Sequence, residues 1–233
     1  MAERREFPRI EAKTWRWIAS IVFFVVSFFG VALVAGLFRI NSQILISIAL
    51  AALGLLSLRI IDRDFVKKIF LIPTKKDLLY IVGGFFFTMV SLIFITQLIS
   101  RFDIKADANP IFDMLDKDNI WIFFISSCIQ FILEEIIFIV PFLFVYNKMK
   151  SENETLKVVV SLIVSSAIFG AMHLSTYNFN IIQAVVIISL VRIALSMTYI
   201  VSKNLTVTYV VHILYDWAII MLYIWAINTQ MTI

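Results

Sequence analysis

The sequence predicts an all-α protein, a polytopic transmembrane helical bundle of about seven spans, and three observations carry that prediction. Hydrophobic residues make up 61% of the 233 positions, against nearer half in a soluble domain, and the mean hydropathy is +0.96. Several apolar runs reach 18 residues or more, the length a helix needs to cross a bilayer. These runs lack the period-2 alternation of barrel strands, and in lipid the only other way to satisfy every backbone group is the helix.

Taken in order, residues 1–16 carry Arg4, Arg5, Arg9, Lys13 and Arg16. They resemble the basic start of a signal peptide, but the apolar segment that follows, Trp17–Phe38, is too long for one and has no clean small-residue cleavage site, so it reads as a retained first span. The second span is Gln43–Ile61. The basic segment Asp62–Lys76 contains an amphipathic piece expected on the membrane surface. Leu78–Ser100 is the third span, and Arg101–Asn119 an acidic loop with Asp103, Asp107, Asp113, Asp116 and Asp118. Trp121–Tyr146 forms the fourth span, with Pro141 expected to kink it. A polar loop, Asn147–Lys157, leads to spans five (Val158–Leu174), six (Asn180–Val201) and seven (Leu205–Asn228). On this layout the N-terminus and the loops after spans two, four and six, counting Arg59 in the last turn of span two, hold 15 Lys and Arg against 4 on the other side, with Arg192 inside span six. Basic residues favour the cytoplasmic side, so the N-terminus is expected there, in a multi-pass protein of the cell membrane. There is no internal repeat, and residues 1–233 read as one transmembrane domain.

Charges inside the spans point to function. Glu134 and Glu135 lie in the middle of span four, where a charged group costs at least ~2.5–3.5 kcal/mol. Adjacent helical residues point about 100° apart, so one acid can do chemistry while the other holds a neighbour; a pair that merely ties helices together is the plainer reading. The chain's two histidines are both in apolar runs. His173 follows Phe169 by four residues on one face of span five, and His212 precedes Asp216 by four on span seven. Each could be a packing residue alone. Counted along their helices, the Glu pair and the two histidines do not fall at one depth. The single Cys128 excludes an intrachain disulfide and a thiolate metal cluster. No Ser–Lys dyad, GxSxG or HExxH occurs, and nothing points to nucleic acid. Ser126, Ser127, Gln130, Ser165 and Ser166 are expected to knit helices, as is close packing at Gly83–Gly84.

The order EExxx, then FxxxH, then HxxxD, each on its own span, resembles the CPBP intramembrane endopeptidases, the CAAX-processing and bacteriocin-processing proteins of the Abi family. The likeness covers about residues 120–228, the expected catalytic core. It implies that Glu134 activates water, that Glu135 supports it, that His173 and His212 position the water or a metal, and that Asp216, where Asn is commoner, stabilises a developing oxyanion or holds the metal. A divalent metal such as zinc at Glu134, His173, His212 and Asp216 is an option under this likeness, and no other cofactor is implied. The implied partners are the bilayer and a membrane-associated peptide, leader or lipidated protein tail, in processing or in bacteriocin self-immunity. One position departs from the pattern. The first motif of the family is EExxxR, and counting from Glu134 the arginine position is Ile139. Arg192 is the one intramembrane cation able to replace it, unless it snorkels or meets a helix-end carbonyl. The substitution favours an alternative, a non-proteolytic membrane partner of the same family. A third reading is a proton-coupled carrier using the Glu pair.

Overall fold

The computed structural model describes residues 5–102, 112 and 120–230. The acidic loop expected between spans three and four lies, except for Arg101, Phe102 and Phe112, outside the described residues. Among the described residues eight α-helices and one π-helical turn follow one another: α1 (Thr14–Leu37), α2 (Gln43–Ile61), α3 (Phe65–Ile69), α4 (Lys75–Arg101), α5 (Ile120–Lys148), α6 (Glu154–Met172), the π-helix Ile182–Ile188 running into α7 (Ser189–Ser202), and α8 (Leu205–Gln230). Seven of these helical segments are long and apolar enough to cross a membrane; the protein is a multi-pass membrane protein. The outward faces carry large apolar side chains such as Val26, Phe29, Leu79, Phe94 and Trp225, since lipid takes the place of water around the bundle.

Local chemistry sets the helix ends. Thr74 and Asp77 form a reciprocal capping box at the start of α4, and Asn153 accepts the Leu156 N–H at the start of α6. Such caps satisfy donors that a first turn leaves without partners. Lys203 adopts a left-handed conformation (φ 50°), which ends α7 and lets Asn204 begin the turn into α8. Asn204 also accepts the Leu71 N–H and donates to the Leu71 carbonyl. The connection before α4 is thereby tied to the α7–α8 turn.

The core lies around α5, which packs on α2, α6 and α8, while α7 is held between α4, α6 and α8. Helix α5 is continuous through Pro141. The segment expected on the membrane surface instead folds inward: Phe65 and Ile69 on α3 are fully buried beside Trp17, Leu58 and Ile61. Burying two large apolar side chains stabilises by about 1.5–3 kcal/mol each, more than an interfacial position recovers. Lys68 donates to Asp62 at 2.5 Å. That bond holds the Asp62 carboxyl below its ordinary value, against the opposing push of partial burial. A lowered folded value stabilises above the unfolded value and ceases to do so as pH falls through the folded one. The Asp62→Asn variant should therefore melt lower than wild type at neutral pH, with the difference vanishing in acid, as thermal scans at several pH values will read.

Two glycines allow close helix approach. A Cβ on Gly84 of α4 would overlap the Thr198 hydroxyl of α7, and one on Gly170 of α6 would overlap the Ala184 carbonyl and the Ser189 hydroxyl. Ser189 completes the second contact by donating to the Ser166 carbonyl at 2.9 Å. The α6–α7 crossing therefore sets where Arg192, one turn further along, enters the bundle. The Gly170→Ala variant is expected to lose about 1–3 kcal/mol through overpacking, read as a lower melting temperature in detergent.

Candidate active site

Helix α5 brings the two acids to the middle of the bundle: Glu134 stands 14 residues from Ile120 and 14 from Lys148. Their side chains diverge as helical geometry requires. Glu135 points inward and is 0% exposed. Arg192 of α7 donates to its two oxygens in parallel, Nη1 to Oε1 and Nη2 to Oε2, both at 2.8 Å. The guanidinium also lies over the Phe138 ring at 4.2 Å and the Phe169 ring at 4.8 Å. An arginine 1% exposed in an apolar bundle is tolerable only with such partners. Arg192 thus does not snorkel; it pairs with Glu135 from α7, while Ile139 of α5 is fully buried.

His212 of α8 completes the cluster. Its Nδ1 lies 2.7 Å from Glu135 Oε1, and its Nε2 lies 3.0 Å from Asp216 Oδ2 and 3.6 Å from Glu134 Oε2. Ionised carboxylates only accept, so either both ring nitrogens carry hydrogen or one neighbouring carboxyl does. Phe131 stacks on the ring, centroids 4.4 Å apart and planes 22° from parallel, which fixes its orientation. Trp217 donates to Ser127 Oγ at 3.1 Å and Tyr209 to the Cys128 carbonyl at 2.8 Å. Both bonds lock α8 to α5 on either side of His212.

Glu134 and Asp216 form the accessible edge. Their side chains are 15% and 30% exposed, and Gln130, one turn before Glu134, donates to its Oε1 at 3.1 Å. Four of the five residues expected at the site therefore meet, despite the different depths counted along their helices. The first turn of α6 is largely exposed.

His173 does not join them. It follows the last residue of α6 as its C-cap, and its Nδ1 faces the Phe169 carbonyl at 2.8 Å. A carbonyl cannot donate, so Nδ1 carries the hydrogen and Nε2 is left as an acceptor. The ring centroids of Phe169 and His173 are 4.7 Å apart, and Phe169 also meets the Arg192 guanidinium. This placement does not fit the optional metal at Glu134, His173, His212 and Asp216. Among the described residues no three His, Cys, Asp or Glu side chains are grouped to hold a metal ion. His212 has both nitrogens turned to carboxylates, which leaves it no lone pair directed at a metal.

Arg192 is the member of the cluster that motif spacing could not place, because its partner is 57 positions away in sequence. The one local signal was its charge within an apolar span. Of the serines expected to knit helices, Ser126, Ser127 and Ser165 donate to carbonyls of their own helices, and Ser127 also reaches α8 by accepting from Trp217.

Residues 116–218 match the family model described as "Type II CAAX prenyl endopeptidase Rce1-like". Neither a curated protein nor a solved structure matches the chain. The matched segment holds Glu134, Glu135, Arg192, His212 and Asp216 together. Over that segment, less than half of its length, the chain is similar to the type II CAAX prenyl endopeptidases.

Proposed function

We propose that the protein hydrolyses a peptide bond of a membrane-associated peptide, a leader or a lipidated protein tail, with Glu134 as the base. One observation carries this reading. Of two adjacent acids, one is locked by Arg192 and His212 in full burial, and the other faces an accessible edge beside His212 Nε2 and Asp216. Glu134 would take a proton from water as its oxygen attacks the scissile carbonyl, and later return that proton to the leaving amine. The His212 Nε2–H, aligned by Asp216 and by Glu135 behind it, would donate to the oxyanion as negative charge develops there. Glu135 and Arg192 would act as positioning residues.

Processing of a bacteriocin precursor and self-immunity are two uses of such an activity. The non-proteolytic alternative drew its support from Ile139; the guanidinium that Arg192 brings to Glu135 removes that reason and favours hydrolysis. The excess of Lys and Arg at the N-terminus and in the loops after α2, α5 and α7 supports a cytoplasmic N-terminus. The test is cleavage of a membrane-associated peptide by the purified protein in liposomes. Wild type should cut it and Glu134→Gln should not; equal cutting by both would sink the assignment of the base.

A further inference from the structure

The Glu135–Arg192–His212 cluster has a second polar side, opposite the exposed edge and facing the α7–α8 turn. Ser196 follows Arg192 by four residues and Thr208 precedes His212 by four. In a helix that spacing keeps each on its neighbour's face, displaced by about 6 Å. Arg192 and His212 both reach Glu135 of α5, so Ser196 and Thr208 face the same α5–α7–α8 seam one turn nearer the turn at Lys203. On α5 the residue at that level is Ile139, four positions after Glu135. Tyr199 is the next residue of α7 on this face, about 4.5 Å further along.

All of these side chains are sealed from the outside: Ser196, Tyr199, Thr208 and Ile139 are 0% exposed. Yet Ser196 Oγ, Thr208 Oγ1, Tyr199 Oη and Arg192 Nε have no hydrogen-bond partner among the described residues. A buried polar group without a partner is costly, and in native proteins it is normally satisfied by protein or by ordered water. Four such groups on one face are spaced closely enough for one or two waters, each spanning about 2.8 Å, to bridge successive stations. Isolated hydroxyls of a membrane helix usually bond back to their own helix; Thr88 does so to the Gly84 carbonyl and Ser161 to the Lys157 carbonyl. The seam hydroxyls do not.

At the end of the seam the N-terminal segment closes the bundle. Phe7 packs against Tyr199, Phe142 and Tyr146, with ring centroids 5.7, 5.6 and 4.9 Å apart. The segment is held by paired bonds from Arg5 to Asp77 of α4 and by Asn147, which accepts from the Ile10 N–H and donates to the Pro8 carbonyl.

We infer that a file of buried water runs along the α5–α7–α8 seam, from Arg192 Nε past Ser196 and Thr208 to Tyr199, under the cover of Phe7. It hydrates the buried side of the Glu135–Arg192–His212 cluster and links it to the membrane face at the α7–α8 turn.

Radiolytic hydroxyl-radical labelling tests this, because radicals formed from embedded water mark the side chains that line it. The full chain in lipid nanodiscs should be labelled at Tyr199 and Ile139 severalfold faster than at Phe65, which is equally buried but packed beside Trp17 and aliphatic side chains. The double variant Ser196→Ala, Thr208→Val should bring both positions down to the Phe65 rate while its melting temperature stays close to wild type. Replacing Phe7 by Ala should raise Tyr199 labelling further. Labelling of Tyr199 and Ile139 no faster than Phe65 in the native protein, or unchanged in the double variant, overturns the inference. The readout does not involve peptide cleavage, so either result leaves the hydrolytic reading where it stands.

Discussion

Replacing Arg192 by Gln is expected to unmake the site from behind. The substitution leaves Glu135 fully buried with His212 as its one remaining polar contact, and removing one partner of a buried ion pair costs about 3–5 kcal/mol. If half of that cost falls on the placement of His212 rather than on global stability, cleavage slows by roughly 10- to 100-fold, at 1.36 kcal/mol per tenfold. Lysine at 192 should restore little, because an ammonium cannot donate to both carboxylate oxygens in parallel or lie flat between Phe138 and Phe169. The informative rescue is Ile139→Arg in the Arg192→Gln background. Position 139 follows Glu135 by one helical turn, so a guanidinium there is within reach of the same carboxylate. The added bulk costs about 1–3 kcal/mol, less than the ion pair is worth. The double variant should thus be more stable and more active than Arg192→Gln alone. A double variant no better than the single one would show that Arg192 does not stand in for a cation on α5.

The second large effect separates the two acids. Glu134→Gln keeps shape and a polar group at an edge that is already accessible, so the melting temperature should hardly move. Loss of a general base should reduce kcat by about 10²- to 10⁴-fold with little change in KM. Glu135→Gln should do the opposite: it leaves Arg192 buried without a counter-charge, and the first consequence is lower stability. Measuring kcat, KM and melting temperature for both variants discriminates the roles. The reverse pattern, with Glu135→Gln stable but inactive and Glu134→Gln unstable, would falsify the assignment.

Four of the five residues singled out by motif spacing converge, because a charged or imidazole side chain within a span has few places to go. Glu134, Glu135, His212 and Asp216 each needed a polar partner, and the bundle interior provides partners in one place. His173 met the same need locally, at the Phe169 carbonyl of its own helix, and so was not drawn into the cluster. The segment around Phe65 misled in a related way. Its alternation of Lys and apolar residues fits a membrane surface as well as a protein core, and the contact with Trp17 and Ile61 decided between them.

The linear chain was sufficient to specify seven spans, with limits within four residues of the observed helices, since a bilayer demands about 20 apolar residues per span and internal hydrogen bonds throughout. It also marked the acids and imidazoles as candidates for function by the cost of holding them in oil. Only the packed bundle decided which acid is shielded and which is accessible, and that the guanidinium comes from α7 instead of α5. Those outcomes depend on helix rotation and on close approaches such as Gly170 against Ala184 and Ser189, which bring together side chains dozens of residues apart and leave no periodic trace along the chain.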